Sequence, residues 1–308
     1  MNQSFFCTFA WSLESDPSVV FKMKPMKQFS KIIEIQEYLC SQSDIGKRIG
    51  FVPTMGALHQ GHLALMNRSK TENDLTVCSI FVNPIQFNNQ EDLAKYPRTL
   101  ASDIKMLEDI GCDVLFVPDT LEMYPENETY IFDLEFGTLD KGLEGKFRPG
   151  HFKGVAIVVK KLFDIIKPAR AYFGKKDFQQ LAIIRYMSKT LQIPVDIIPC
   201  ATVREPDGLA MSSRNMRLTI AERTIAPKIF QILSKVKTKA GKMPVQELKE
   251  WAIKKIEENP AFRVEYFEIS DKDSLMPLKN WNQKAQAVAL TAVFLGDVRL
   301  IDNIELFS

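Results

Sequence analysis

From about Met26 onward, apolar positions recur alternately at helical and at strand spacing. Phe29 to Leu39 sets Ile32, Ile33, Ile35 and Leu39 among lysines and glutamates, which predicts an amphipathic helix. Arg48 to Val52 reads as a strand and Leu63 to Glu72 as a helix. Leu75 to Val82 (LTVCSIFV) is an almost unbroken apolar run of strand length, as expected of a strand buried on both faces. Asn83-Pro84 stops it, because proline has no N–H to give a ladder. A helix over Ala101 to Ile110 leads to a short strand, Asp113 to Val117. His151 to Ile166 places Phe152, Val155, Val159, Leu162, Phe163 and Ile166 at helical spacing, opposite Lys153, Lys160, Lys161 and Lys167, and Pro168 ends that helix. Strands at Ala171 to Phe173 and Val195 to Cys200 flank a helix over Lys176 to Leu191.

Repeated β-α-β units of this kind predict an α/β fold with a doubly wound parallel sheet. After Arg217 two lysine-rich amphipathic helices, Ile220 to Lys239 and Val245 to Asn259, precede the strand-like FRVEYFEIS and AVALTAVFL, a smaller α+β domain. The boundary falls near Cys200 to Arg204. The chain thus divides into an extension (1–25), an α/β domain (26–201) and a C-terminal domain (202–308), and 308 residues suffice for two domains.

Composition narrows the class without naming a function. An apolar share of 45% and a charged share of 25% are ordinary for a soluble globular protein. A net charge of +2 argues against a nucleic-acid binder, for which a strongly basic domain is expected. Five scattered cysteines without a CxxC pair fit reduced thiols in the cytoplasm better than a disulfide framework or a zinc site. No apolar run is long enough to cross a membrane. The start, MNQSFFCTFAWSLESDP, lacks a basic n-region and is a poor signal peptide; it reads as a disordered extension, or as translation from upstream of Met23 or Met26.

The candidate chemistry is concentrated in a few loops. Met55 to His62 (MGALHQGH) follows a strand and opens a helix, so its turn is expected to offer free backbone N–H groups and a positive dipole end to a phosphate. Two of the three histidines, His59 and His62, sit there at i, i+3 on one helix face. A metal reading needs a third ligand, for which only the remote Glu72 offers itself; a structural reading makes one histidine a helix cap. An anion site accounts better for two imidazoles beside a glycine turn. Phe173 to Gln180 (FGKKDFQQ) is a second strand-to-helix turn, where Lys175 or Lys176 supplies charge and Asp177 caps the helix or holds a ribose hydroxyl. Met211 to Asn215 (MSSRN) offers two hydroxyls and Arg214 to a triphosphate. Gln86 and Gln180 are either satisfied amides or recognition groups for a small polar substrate. Arg148-Pro149-Gly150-His151 places the third histidine at another helix start. GxSxG, Walker A, GxGxxG and paired-carboxylate motifs do not stand out.

The combination PTMGALHQGH, SIFVNPIQF, YPRTL, RPGHFKGV, FGKKDFQQL and MSSRN, in this order and followed by LGDVRLIDN, closely resembles the pantothenate synthetase (pantoate–β-alanine ligase) family of the HxGH nucleotidyltransferases. The resemblance runs from about residue 28 to the C-terminus. It implies a Rossmann-like ATP-binding domain, a smaller lid domain, and a cytosolic homodimer. It also implies a two-step reaction: ATP with Mg²⁺ adenylates pantoate, then β-alanine displaces AMP, with no organic prosthetic group. Met55, Gly56, Ala57, Leu58, His59, Gln60, Gly61 and His62 would form the ATP loop, with His62 as proton donor to the departing pyrophosphate. Gly174, Lys175, Lys176, Asp177 and Val203 would hold the adenosine side and, through Lys176, the phosphates. Met211, Ser212, Ser213 and Arg214 would form a second phosphate loop. Gln86 and Gln180 would hold pantoate, and Gln86 would also touch β-alanine. The catalytic set implied is His59, His62, Lys176 and Arg214; the direct metal ligands and the base for β-alanine stay unassigned. The rival readings are another HxGH adenylyltransferase and a nucleotide-binding homologue without catalysis.

Overall fold

In the computed structural model, residues 25–88, 90–126, 133–281 and 286–307 are described; apart from Pro25, the N-terminal extension lies outside them. Six strands, β1 (Lys27–Phe29), β2 (Ile49–Thr54), β3 (Leu75–Ile80), β4 (Val114–Phe116), β5 (Arg170–Gly174) and β6 (Asp196–Cys200), form one sheet in the order β1-β4-β3-β2-β5-β6. Every neighbouring pair is parallel. From β2 the chain winds outward through β3 and β4, then crosses back to place β5 on the other side of β2. The winding therefore reverses between β2 and β5, and such a crevice at the carboxyl ends of the strands is where ligands bind in open α/β sheets.

Period-two burial explains the two-layer cover. Phe51, Val77, Val114 and Phe116 point into one core, with Val155, Val159 and Leu162 of the His151–Ile166 helix. Val52, Cys78 and Leu115 point into the other, with Leu65 and Met66 of the Gln60–Glu72 helix. All six residues of β3 are buried, as a strand covered on both faces must be.

The C-terminal part is an antiparallel sheet, β7 (Phe262–Asp271), β8 (Ala287–Leu295) and β9 (Val298–Glu305), in the order β7-β8-β9. Helices Lys228–Lys239 and Val245–Glu257 pack Leu233, Val236, Leu248 and Ala252 against Ala289, Val293 and Leu295 of β8. Val288 and Leu290, on the opposite face of β8, join the core of the parallel-sheet layer. The central strand is thus the seam between the two parts.

Three details depart from the pattern. The helix expected over Ile220 to Lys239 is two helices, Ile220–Ile225 and Lys228–Lys239, because Pro227 lacks the N–H that would carry it through. The helix expected from Lys176 begins at Phe178, after a 3₁₀ turn over Lys175–Asp177. Phe29, expected in a helix, ends edge strand β1, and the helix runs over Ile32–Asp44.

Candidate active site

The MGALHQGH segment leaves the end of β2 in a turn that ordinary residues resist. Gly56 has φ +78° and Ala57 φ +50°, both in the left-handed region. Asp103, buried at the start of helix Leu100–Asp109, holds them there: its carboxylate accepts the N–H groups of Ala57 and Leu58, each at 2.9 Å, and the Thr99 hydroxyl at 3.1 Å. The Gly56 N–H goes to Thr54 Oγ1 at 3.2 Å. The free backbone N–H groups expected of this turn are therefore absent at Gly56, Ala57 and Leu58; a carboxylate of the protein already occupies the anion's place.

What faces outward instead is a pair of imidazoles. His59 is the N-cap of helix Gln60–Glu72, and its Nδ1 accepts the Gly61 N–H at 3.1 Å. His62 reaches back to accept the His59 N–H on its own Nδ1 at 3.3 Å, so the two histidines form a reciprocal capping box. With both Nδ1 atoms accepting, each neutral ring carries its proton on Nε2. The capping and anion-site readings are compatible, since one nitrogen serves each. The ring centroids lie 4.1 Å apart. Burial and the Lys176 charge push His59 down to about 4; burial, His59 and Lys176 push His62 to about 3. Both rings are neutral hydrogen-bond donors at pH 7. Glu72 pairs with Arg68 at 2.9 Å and receives the Tyr172 hydroxyl at 3.0 Å, which removes the remote metal candidate.

The rings open on a cleft of about 230 Å³ at the β2/β5 reversal. Of the residues singled out in the sequence, it is lined by Met55, His59, Gly61, His62, Gln86, Gly174, Lys176, Asp177, Gln180, Val203, Met211, Ser212, Ser213 and Arg214. Gly56, Ala57 and Leu58 lie buried behind it and Gln60 is exposed on the helix. Lys175 turns away to pair with Glu305 at 2.6 Å, so of the two lysines it is Lys176 that faces the cleft. Asp177 occupies the N-cap position of helix Phe178–Thr190 without a side-chain capping bond. Its capping reading falls away, and its carboxylate stands 3.7 Å from Lys176 Nζ.

Neighbouring loops are tied down from both parts of the molecule. Asn303 of β9 donates to the carbonyls of Lys175 and Lys176, at 2.9 and 2.8 Å, fixing the FGKKD turn. Val203 and Met211 meet across a tight hairpin, with Met211 N–H on the Val203 carbonyl at 3.0 Å. Arg204, doubly bonded to Asp302 at 2.7 and 2.9 Å, anchors that hairpin to β9. Tyr96 hydrogen-bonds Ser213 and lines the cleft, joining the YPRTL loop to MSSRN. Gln86 is buried, its Oε1 accepting from Asn83 Nδ2 at 3.2 Å. Gln179 is spent on the interior, donating to the carbonyls of Leu139 and Gly142, whereas Gln180 faces the cleft. Sequence reasoning gave no role to Asp103, which belongs to no motif, or to Tyr96, Asn83 and Asn303, which lie within quoted motifs but whose parts in the site depend on contacts distant in the chain.

Comparison with known proteins identifies the family. The model of the family described as pantoate-beta-alanine ligase matches residues 27–305. The chain belongs to that family. The pantothenate synthetase of Bacteroides fragilis is 51% identical over 280 residues, covering 91% of this chain and 99% of that protein. The solved pantothenate synthetase of Thermus thermophilus superposes with a TM-score of 0.86 at 42% identity, over 92% of this chain and all of that one. The Francisella tularensis pantoate-beta-alanine ligase, solved in complex with beta-gamma ATP and β-alanine, gives a TM-score of 0.75 at 36% identity, over 92% and 98% of the two chains. Membership accounts for the six ordered motifs together, and both sheets of the fold are shared with these relatives.

Proposed function

We propose that the β2/β5 cleft joins pantoate to β-alanine through a pantoyl adenylate, with ATP as the activating substrate. The reaction itself, pantoate plus β-alanine to pantothenate, is that of the family. The observation that carries the route is the convergence on one cleft of two neutral imidazoles, Lys176 and Arg214, with two uncharged amides, Gln86 and Gln180. A carboxylate is a poor acyl donor, so its oxygen first attacks the α-phosphorus of ATP and the bond to the β-phosphate breaks, releasing pyrophosphate. The amine of β-alanine then attacks the acyl carbon, the bond to AMP breaks, and the amine gives up a proton. In the first step, positioning and charge stabilisation dominate.

The Nε2–H groups of His59 and His62 donate to phosphate oxygens, beside the cations of Lys176 and Arg214. A bound triphosphate raises the affinity of both rings for a proton, which suits His62 to protonate the departing pyrophosphate. Gln86 and Gln180 orient pantoate without drawing charge from its attacking oxygen. Gly174, Asp177, Val203 and Met211 to Ser213 take the nucleotide. No group of three or more His, Cys, Asp or Glu suited to a metal occurs among the described residues. With ATP bound, Asp177, the carboxylate in the cleft lining, would hold magnesium together with the phosphate oxygens, and the ion would supply charge neutralisation there. Residues 26–201 form the ATP- and pantoate-binding domain and 202–308 the lid, which adds Val203 and Met211 to Arg214 to the nucleotide site, in a cytoplasmic homodimer.

The deciding experiment is exchange of labelled pyrophosphate into ATP, with AMP release followed on adding β-alanine. Exchange that requires pantoate, and AMP release that requires both acids, are expected. Exchange indifferent to pantoate would overturn the proposal in favour of another adenylyltransferase; ATP binding without exchange would mark a non-catalytic homologue.

A further inference from the structure

His151 does not line the main cleft, yet it touches the residue that reads as a pantoate holder. It is 6% exposed, and both ring nitrogens are engaged. Nε2 lies 3.1 Å from Arg148 Nη1, a group that can only donate, so Nε2 accepts. Nδ1 therefore carries the proton and donates it to the main-chain carbonyl of Gln86 at 2.9 Å. Burial and the Arg148 charge push the ring down to about 4, which keeps this neutral tautomer at pH 7.

The same helix turn holds the Gln86 segment at two further points. The Gly154 carbonyl accepts from Asn83 Nδ2 at 3.1 Å, and Asn83 Oδ1 caps the 3₁₀ turn Pro84–Gln86. A Cβ at Gly154 would stand 2.7 Å from both Gln86 Cα and the Ile85 carbonyl oxygen, so only glycine permits this approach. The backbone of Gln86 is thus clamped from the helix side while its amide lies in the cleft. A lysine or arginine in place of His151 could donate as well, but would bring a full charge toward the substrate carboxylate. The neutral ring stands between the Arg148 charge and Gln86 and passes on only an oriented N–H.

We propose that His151 is a positioning residue for the ligation: its Nδ1–H fixes the main chain of Gln86 so that the amide meets the carboxylate of pantoate. This inference rests on the reading of Gln86 as a pantoate-holding residue.

Two substitutions that are both polar separate positioning from packing. Asparagine sets its amide N–H where Nδ1 stands, whereas glutamine sets it near Nε2. His151→Asn is expected to keep the KM for pantoate within about threefold of wild type, and His151→Gln to raise it roughly ten- to a hundredfold, with the KM for ATP moved by less than about threefold in both. Melting curves check that each variant folds. Gly154→Ala pushes the same backbone segment and should also raise the pantoate KM selectively, a second route should the glutamine variant not fold. Gln86→Ala is the control for the underlying reading: if it leaves the pantoate KM unmoved, that reading fails whatever His151 does. If Gln86→Ala raises it while the two His151 variants behave alike, the two KM values rise together, or Gly154→Ala leaves it unmoved, the positioning role is overturned.

Discussion

Each residue of the imidazole pair does two jobs with its two nitrogens, and that division dictates the substitutions worth making. Asparagine at position 62 can still accept the His59 N–H but has no donor where Nε2–H stood. His62→Asn should therefore fold and lose about 10²–10³ in pantoate-dependent pyrophosphate exchange, as for loss of one preorganised donor; exchange within a factor of about three of wild type would remove His62 from the chemistry. The neutral amides make a second test. Gln86→Arg should keep pantoate bound, by calorimetry, yet lower exchange about a hundredfold or more, since a guanidinium holds the charge the attack needs. Undiminished exchange sinks the argument for neutrality. The same rings set a pH response. An unfolded histidine takes up its proton near 6.5, whereas the fold refuses it on His59 and His151 until about 4 and on His62 until about 3. Between those limits the unfolded state binds more protons, so these rings make stability fall as pH drops below 6.5. Melting of the ligand-free protein between about pH 7.5 and about pH 5 should show this, less steeply in His62→Asn; parallel curves for the two proteins contradict it.

At the scale of elements, the sequence was legible wherever one period dominated. β3 and the helix His151–Ile166 lie where their patterns place them, because burial on two faces, or along one broad stripe, leaves little freedom. β9 escapes such a pattern: it interleaves apolar residues with the charged Arg299 and Asp302, whose partners, Glu144 and Arg204, lie far off in the chain. The MGALHQGH turn shows the same blindness at closer range. Its glycine and histidines are visible, but the carboxylate that fixes them comes from position 103. Removing it strands two buried N–H groups, so Asp103→Ala should cost about 2–4 kcal/mol in urea unfolding and misaim both imidazoles. Asp103→Asn keeps one acceptor oxygen and should fall between. A variant as stable and active as wild type would show that the turn needs no clamp.

Across the whole molecule, the two sheets are joined by ionic contacts as well as by the apolar seam. Burial alone would raise the Glu144 carboxyl, but hydrogen bonds from Arg299 at 2.7 and 2.8 Å and from the Tyr266 hydroxyl at 2.8 Å hold it below the usual carboxylate range. Arg299 also binds Glu265 on β7. Removing the cation leaves a buried carboxylate unpaired, so Arg299→Met should cost about 3–5 kcal/mol, and adding Glu144→Gln should recover part of it. Strictly additive losses in that cycle would mean that the pair does not couple the two parts. Because Asn303 and Arg204–Asp302 tie the FGKKD turn and the Val203 hairpin to β9, the C-terminal sheet helps to shape the cleft it adjoins.

By itself the sequence determined the alternation of strands and helices, the presence of two parts and the loops that carry the chemistry, because those follow from local periodicity and from residue types close together in the chain. Only the tertiary structure decided which nitrogen of each histidine faces the cleft, which of two lysines and of two glutamines turns inward, and that Asp103 rather than a ligand fills the backbone N–H groups of the turn. The histidine nitrogens are set by a cap whose bonds span two and three residues once the turn has formed, but the lysine, the glutamine and the turn depend on hydrogen-bond partners 35 to 130 positions away. No local pattern encodes such a distance; packing around the reversal between β2 and β5 does.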